Sequence, residues 1–180
     1  YIAKQHIYYY REVIEEARIP FEEELVYQDD FIVIADKPHY LPVSPVGPFI
    51  QETLLVRLRK RLGIDGLSLA HRLDLETAGL VLLTIQPDKR SAYQNLFRDQ
   101  QIDKYYEAIA PLNPALEFPM NYRSRIEESA DFMQMQEVVG EPNSETRINL
   151  LEDNGVWGRY LLEPITGKKH QLRAHMNALG

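Results

Sequence analysis

Three short segments of this 180-residue chain carry side chains that could do chemistry. The first is His71-Arg72-Leu73-Asp74-Leu75-Glu76-Thr77-Ala78-Gly79, a charged turn between two apolar runs. Loops at sheet ends suit catalytic groups, because the scaffold fixes them while leaving them reachable; Asp74 is the candidate acid. A hydrogen-bonded turn made by Asp74 and Thr77, with Gly79 supplying the bend, accounts for the same residues. Taken locally, that turn is the simpler account. The second segment is Thr166-Gly167-Lys168-Lys169-His170-Gln171-Leu172-Arg173-Ala174-His175. Thr166 is placed to cap a helix, on which His170 and Arg173, three apart, would share a face. A capped, cationic helix start suits a phosphate or carboxylate; a capped amphipathic helix with a solvated basic side is the alternative. His170 and His175 are badly spaced for a shared metal ion and no carboxylate stands in ligand spacing, so no metal is expected. The third segment, Lys104-Tyr105-Tyr106-Glu107-Ala108, puts two tyrosines side by side in a strand, one inward and one outward. They are either a core and a surface aromatic, or a platform on which a base stacks.

The elements that must position these residues follow from period and punctuation. Apolar positions at helical spacing predict a helix over 5–18, ended by Pro20. Residues 25–28 and 31–36 read as strands around an Asp29-Asp30 turn. Residues 38–48 hold four prolines and a glycine and must be loop. Leu54, Leu55, Leu58 and Leu62 define one face of a helix over 52–62, with Gly63 as its C-cap. Extended segments are expected at 67–72 and 79–86 on either side of the Asp74 turn, then a helix over 88–100. Strands follow at 104–110, 121–127, 132–139, 144–151 and 156–164, and a last helix at 169–178. Many strands with few, irregularly placed helices indicate an α+β fold with a large, mostly antiparallel sheet, mixed at most, rather than a doubly wound one.

Composition narrows the classes. The chain has no cysteine, which excludes disulfides, thiolate-bound metals and cysteine nucleophiles. No apolar run is long enough to span a bilayer, and no signal-peptide pattern is present; a cytoplasmic, membrane-free and monomeric protein is expected. The net charge of −7 argues against a nucleic-acid partner when taken globally. The charge is unevenly spread, however. Acidic residues crowd the first thirty positions, while Arg57, Arg59, Lys60 and Arg61, and the 168–175 segment, are locally basic. For the Arg57–Arg61 cluster a solvated helix face is the better account.

Taken together and in this order, the segments resemble the RluA-type RNA pseudouridine synthases. Residues 71–79 match the family turn His-Arg-Leu-Asp-x-x-Thr-Ser/Ala-Gly throughout. Lys104, Tyr106 and Ala108 match its Lys-x-Tyr-x-Ala strand, and Thr166, Gly167, His170, Gln171, Leu172, Arg173 and His175 match its Thr-Gly-Arg-x-His-Gln-Leu/Ile-Arg-x-His segment. Residues 31–38 followed by Leu41-Pro42-Val43 are similar to its strand, Lys-Pro and Leu-Pro-Val segment. The chain departs from the pattern at His39-Tyr40, where the family has a small residue and glycine, and at Lys168, where it has Arg, so bidentate recognition is lost there. The family also continues beyond the last helix, whereas this chain stops at Leu179-Gly180. The resemblance therefore implies a pseudouridine synthase catalytic fold over 25–180, truncated at its C-terminal end and preceded by an N-terminal helical extension over 1–24.

The resemblance further implies isomerisation of a uridine in ribosomal or transfer RNA, with no cofactor. Asp74 is the carboxylate acting on the sugar, as nucleophile at carbon 1 or as base at carbon 2. Tyr106 packs on the uracil, and Leu172 is an apolar wall. Arg173 supplies the cation that keeps a buried carboxylate ionised. The nucleotide must be flipped out of the RNA. Arg72 fills its place, and His71, Thr77, Lys168 and His170 join the RNA-binding set. A catalytically inactive RNA-binding relative is the alternative. A hydrolase built on Asp74 and His71 is disfavoured, because three residues along an extended turn give no assured contact and no nucleophilic serine motif is present.

Overall fold

The computed structural model describes residues 16–129 and 135–180. The helix expected over 5–18 falls mostly outside them; residues 16–19 are not helical, and β1 already starts at Glu24. The chain divides into two compact units, one running through Tyr93 and the other from Gln94. The α+β class and the antiparallel pairing are as the sequence indicates. The hydrogen bonding forms two sheets, one per unit, instead of one large sheet.

The first unit holds β1 (Glu24–Gln28), β2 (Ile32–Lys37), α1 (Leu54–Leu62), β3 (Ser68–Leu69) and β4 (Gly79–Thr84). Its sheet has the order β1-β2-β4-β3, and every pairing is antiparallel. Asp29 makes the hairpin turn by accepting from the Phe31 and Ile32 amides at 2.7 and 2.8 Å. Period-two alternation then sends Val33, Ala35 and Lys37 of β2, and Val81 and Leu83 of β4, to the buried face. There they meet Leu41, Leu54, Leu58 and Leu67, all fully buried. Each such aliphatic side chain contributes roughly 1.5–3 kcal/mol, so the sheet is a firm base for its end loops.

Helix α1 forms as its pattern predicts. Thr53 Oγ1 accepts from Val56 N, and Gly63, at φ 68, closes the helix with a bond to Arg59 O. The amides of Leu54 and Leu55 donate to Pro42 O and Val43 O, so the Leu-Pro-Val loop satisfies the open helix start. The carboxylate of Glu16 takes the Ile50, Gln51 and Glu52 amides at 2.7–2.9 Å.

The basic cluster on this helix is only partly a solvated face: Lys60 and Arg61 are exposed, but Arg57 and Arg59 turn inward. Arg57 donates to Ile19 O at 2.7 Å and Phe21 O at 2.6 Å, and pairs with Glu52 and Glu23. Arg59 donates to Leu67 O, and Arg61 to Glu23 O. These guanidinium groups clamp the segment before β1 and the α1–β3 connection, and part of the acidic N-terminal charge is their counterpart. Arg57→Met should lower the unfolding free energy by about 3 kcal/mol, since carbonyls and carboxylates are left without their donor. Lys60→Met, at an exposed position of the same helix, should change it by less than about 0.5 kcal/mol. Urea denaturation compares the two; equal stability of both variants would remove Arg57 as a clamp.

The second unit contains β5 (Tyr106–Pro111), β6 (Met120–Glu128), β7 (Met135–Val138), β8 (Ser144–Asp153), β9 (Trp157–Pro164) and α3 (Gln171–Leu179); α2 (Arg90–Arg98) spans the division. The strand expected over 132–139 is seen from 135; its earlier residues lie outside those described. The sheet order is β5-β9-β8-β6-β7, again antiparallel. Ile148, Tyr160 and Leu162 form the core of this unit, with Tyr106, Leu172, Met176 and Leu179 packed against it. No helix among the described residues is long and apolar enough to cross a membrane.

Candidate functional site

The Asp74 turn joins β3 to β4. Ala70 N donates to Leu82 O at 3.0 Å, and Leu82 N donates to His71 Nε2 at 3.1 Å. The imidazole thus extends the ladder one step after the β3 backbone has left it. An accepting Nε2 places the ring proton of the neutral form on Nδ1. Thr77 N donates to Asp74 O at 3.2 Å and closes the turn, so the local reading of a hydrogen-bonded turn holds. Asp74 and Thr77 are half-buried and Arg72 is exposed.

The turn is fastened from behind by a residue that sequence reasoning used only as part of a motif. Lys37 is fully buried, and its Nζ donates to Pro38 O and Leu41 O at 2.9 Å and to Leu75 O at 3.3 Å. Burial pulls its pKa down to about 8, while the nearby charges of Glu76 and Asp74 act to raise it. The signal was in the sequence: Val33, Ala35 and Lys37 share one period-two face, which turns the lysine inward. Two further bonds tie the neighbouring loop to the turn. Tyr40 N donates to Leu75 O at 2.8 Å, and His39 Nδ1 donates to Glu76 O at 2.5 Å.

The other predicted site residues belong to the second unit. Tyr106 opens β5, pairs with Leu162 and is half-buried against the core, whereas Tyr105 is exposed. The inward and outward tyrosines are as expected. Lys104, half-buried and with its pKa lowered by that burial, sets Nζ so that a Cβ on Gly167 would lie 3.7 Å from it. The Lys-x-Tyr strand and the Thr-Gly loop therefore meet.

The helix of that loop starts differently from the expectation. Thr166 is not its cap. Its hydroxyl donates to Gln171 Oε1 at 2.7 Å and accepts from Glu145 N at 2.9 Å, while Lys168 N also donates to Gln171 Oε1. His170 stands before the helix in the left-handed region, φ 52, with no side-chain cap bond, so it does not share a helical face with Arg173. Gln171 and His175 are instead the buried side of α3. Gln171 Nε2 donates to Glu145 O and Thr146 Oγ1, both at 2.9 Å. His175 lies between Thr146 Oγ1 at 2.8 Å and Ser144 Oγ at 3.0 Å. This network pins α3 to β8 and leaves Leu172 packed on the core and Arg173 and Lys168 exposed. Four-residue spacing puts Gln171 and His175 on one face of the helix, and that face is the buried one.

Burial lowers the pKa of His175, against a raising influence from Glu137; Tyr122 stacks edge-on at 5.0 Å. An unfolded histidine titrates near 6.5, so as pH falls the unfolded chain takes up this proton first. The stability from His175 is full above about pH 6.5 and is lost as pH falls toward the lower folded value. Calorimetry between pH 7 and 5 should show a steeper fall in melting temperature for the wild type than for His175→Asn; equal slopes would rule out this role.

Residues 31–178 match one protein family, RNA pseudouridylate synthase. The chain is 30% identical over 174 residues to the Dual-specificity RNA pseudouridine synthase RluA of Haemophilus ducreyi, covering 89% of this chain and 74% of that protein. It is 30% identical over 160 residues to the Ribosomal large subunit pseudouridine synthase C of Vibrio cholerae, covering 87% of this chain and 49% of that one. The solved structure of Human RNA Pseudouridylate Synthase Domain Containing 4 aligns with a TM-score of 0.69 at 31% identity, over 86% of this chain and 64% of that chain. The chain therefore spans about half to three quarters of the length of these three proteins.

Proposed function

The chain belongs to the RNA pseudouridylate synthase family of enzymes, and from that membership we propose that it isomerises uridines already in ribosomal or transfer RNA, with Asp74 as the essential carboxylate. In this reaction the bond from ribose carbon 1 to ring nitrogen 1 breaks, the uracil turns, and carbon 1 joins ring carbon 5. Nitrogen 1 gains a proton and carbon 5 loses one, so the product is an isomer and no redox partner is needed. Asp74 acts on the sugar, as nucleophile at carbon 1 or as base at carbon 2; both roles need the carboxylate ionised. By correspondence with the family motifs, Tyr106 packs on the uracil, Leu172 walls the pocket and Arg173 keeps the carboxylate charged. A base stacked in folded RNA is out of reach of a protein carboxylate, so the nucleotide is flipped out, at roughly a few kcal/mol, with Arg72 taking its place. His71, Thr77, Lys168 and His170 complete the RNA-binding set.

The observation that most supports this reading is the Asp74 turn: a carboxylate at the end of a sheet, on a turn tied to its surroundings through the backbone of Leu75 and Glu76 and the imidazole of His71. Such a site can hold an acid in one geometry against a substrate. The test is tritium release from RNA labelled at uridine carbon 5, using ribosomal and transfer RNA transcripts. Release is expected from at least one of them. RNA binding with no release from either would favour an inactive binder.

A further inference from the structure

We propose that Tyr40, with His39 beside it, is a nucleobase-stacking contact that takes an unpaired base close to the target uridine, a role that rests on the pseudouridine synthase reading and adds a binding residue to it. Three described residues other than glycine have positive φ: Tyr40 at 64, Gln100 at 56 and His170 at 52. Gln100 follows the end of α2, where the left-handed region is ordinary and the Gln100 and Gln101 amides bond back to Phe97 O and Leu96 O. His170 sits before α3. Tyr40 neither starts nor ends a helix. A bulky side chain is disfavoured at this φ, and burial does not offset the cost, because the tyrosine is 59% exposed. Glycine would hold the same backbone without strain. Strain that packing does not explain points to use.

The rest of the geometry says what that use is. Tyr40 N is bonded to Leu75 O and His39 Nδ1 to Glu76 O, so both rings ride on the backbone of the Asp74 turn. The His39 and Tyr40 ring centroids lie 6.2 Å apart at 47°, which offers two aromatic faces next to one another on a fixed support. The exposed neighbours are the polar His39 and Glu76 and the apolar Leu75, a mixed surround that suits a flat ligand with an apolar face and a polar edge. A base has a π-face and meets an exposed tyrosine by stacking, whatever its sequence.

The test uses Tyr40→Gly, which relieves the backbone and so should melt no lower than the wild type. Its affinity for ribosomal and transfer RNA transcripts should fall about tenfold, and Tyr40→Phe should restore most of it. In parallel, 4-thiouridine-bearing transcripts should cross-link to the Tyr40 peptide in the Asp74→Asn protein, which requires no turnover. Unchanged affinity in Tyr40→Gly, or cross-links that avoid this peptide, would overturn the stacking role even where wild-type tritium release upholds the isomerase. Cross-linking at Tyr40 without any wild-type release would uphold the contact and overturn the isomerase reading instead. No RNA binding by the wild type would overturn both.

Discussion

Asp74→Asn should reduce tritium release from carbon 5-labelled uridine by at least about a hundredfold while leaving RNA affinity within about threefold. Loss of a positioned base alone removes on the order of 10²–10⁴ in rate, and loss of a nucleophile removes the covalent route altogether. The backbone bonds to Asp74 O, Leu75 O and Glu76 O and the bond to the His71 ring do not involve the group that is replaced. Asparagine also keeps the size of the side chain. A melting temperature close to wild type should therefore accompany the lost turnover. Release equal to wild type would withdraw Asp74 from the chemistry, and retained turnover with lost binding would recast it as an RNA contact.

The second large effect belongs to Lys37→Met. Methionine fills nearly the same volume, so packing is kept and the donor alone is lost. Pro38 O and Leu41 O then lose this donor while Leu75 O keeps the Tyr40 amide, and Lys37 is fully buried, which leaves water little access to replace it. Unsatisfied buried acceptors cost about 1–3 kcal/mol each, but the penalty of burying a charge is relieved at the same time. A net loss of about 2–4 kcal/mol is expected, with a fall in turnover as the Asp74 turn loosens.

The effect has a pH signature. The folded protein releases the Lys37 proton at about 8, whereas an unfolded lysine holds it to about 10.4. Below pH 8 both states are protonated and the burial penalty is carried in full. Between those values the unfolded chain binds the extra proton, so stability from this group rises with pH. The stability gap between wild type and Lys37→Met should accordingly widen from pH 8 to 10 in denaturant titrations. A gap that is absent at pH 7 would remove Lys37 as the fastener of the turn, whereas a gap constant with pH would show only that burial leaves its proton as tightly held as in the unfolded chain.

Much of this was legible in the residues. Apolar runs bounded by turn signals placed β2 and β4, and the Leu54, Leu55, Leu58 and Leu62 spacing with Gly63 placed α1 and its end. The start of α3 was misread, because Thr166 has the chemistry of a cap but bonds to Gln171 and Glu145 instead. The arginines of α1 were read as solvated, since nothing in 57–61 announces that residues 19–23 lie against them. At His39-Tyr40 the sequence showed a departure from the family pattern. That the tyrosine keeps a left-handed backbone, exposed and bonded to the Asp74 turn, was visible only in three dimensions.

The sequence by itself determined most of the elements from β1 onward, the α+β class, the family and the identity of the candidate acid, because these rest on spacings of two to four residues and on short ordered motifs. Tertiary structure alone decided that the strands form two sheets, that Lys37 holds three carbonyls and that Gln171 and His175 anchor their helix. It also decided that Arg57 turns inward. Each of these depends on which distant segment supplies the partner: Leu75 lies 38 positions from Lys37, and Thr146 lies 29 from His175. A polar side chain carries its donors and acceptors in its formula, but whether water or a buried carbonyl meets them is settled only when the chain folds back on itself.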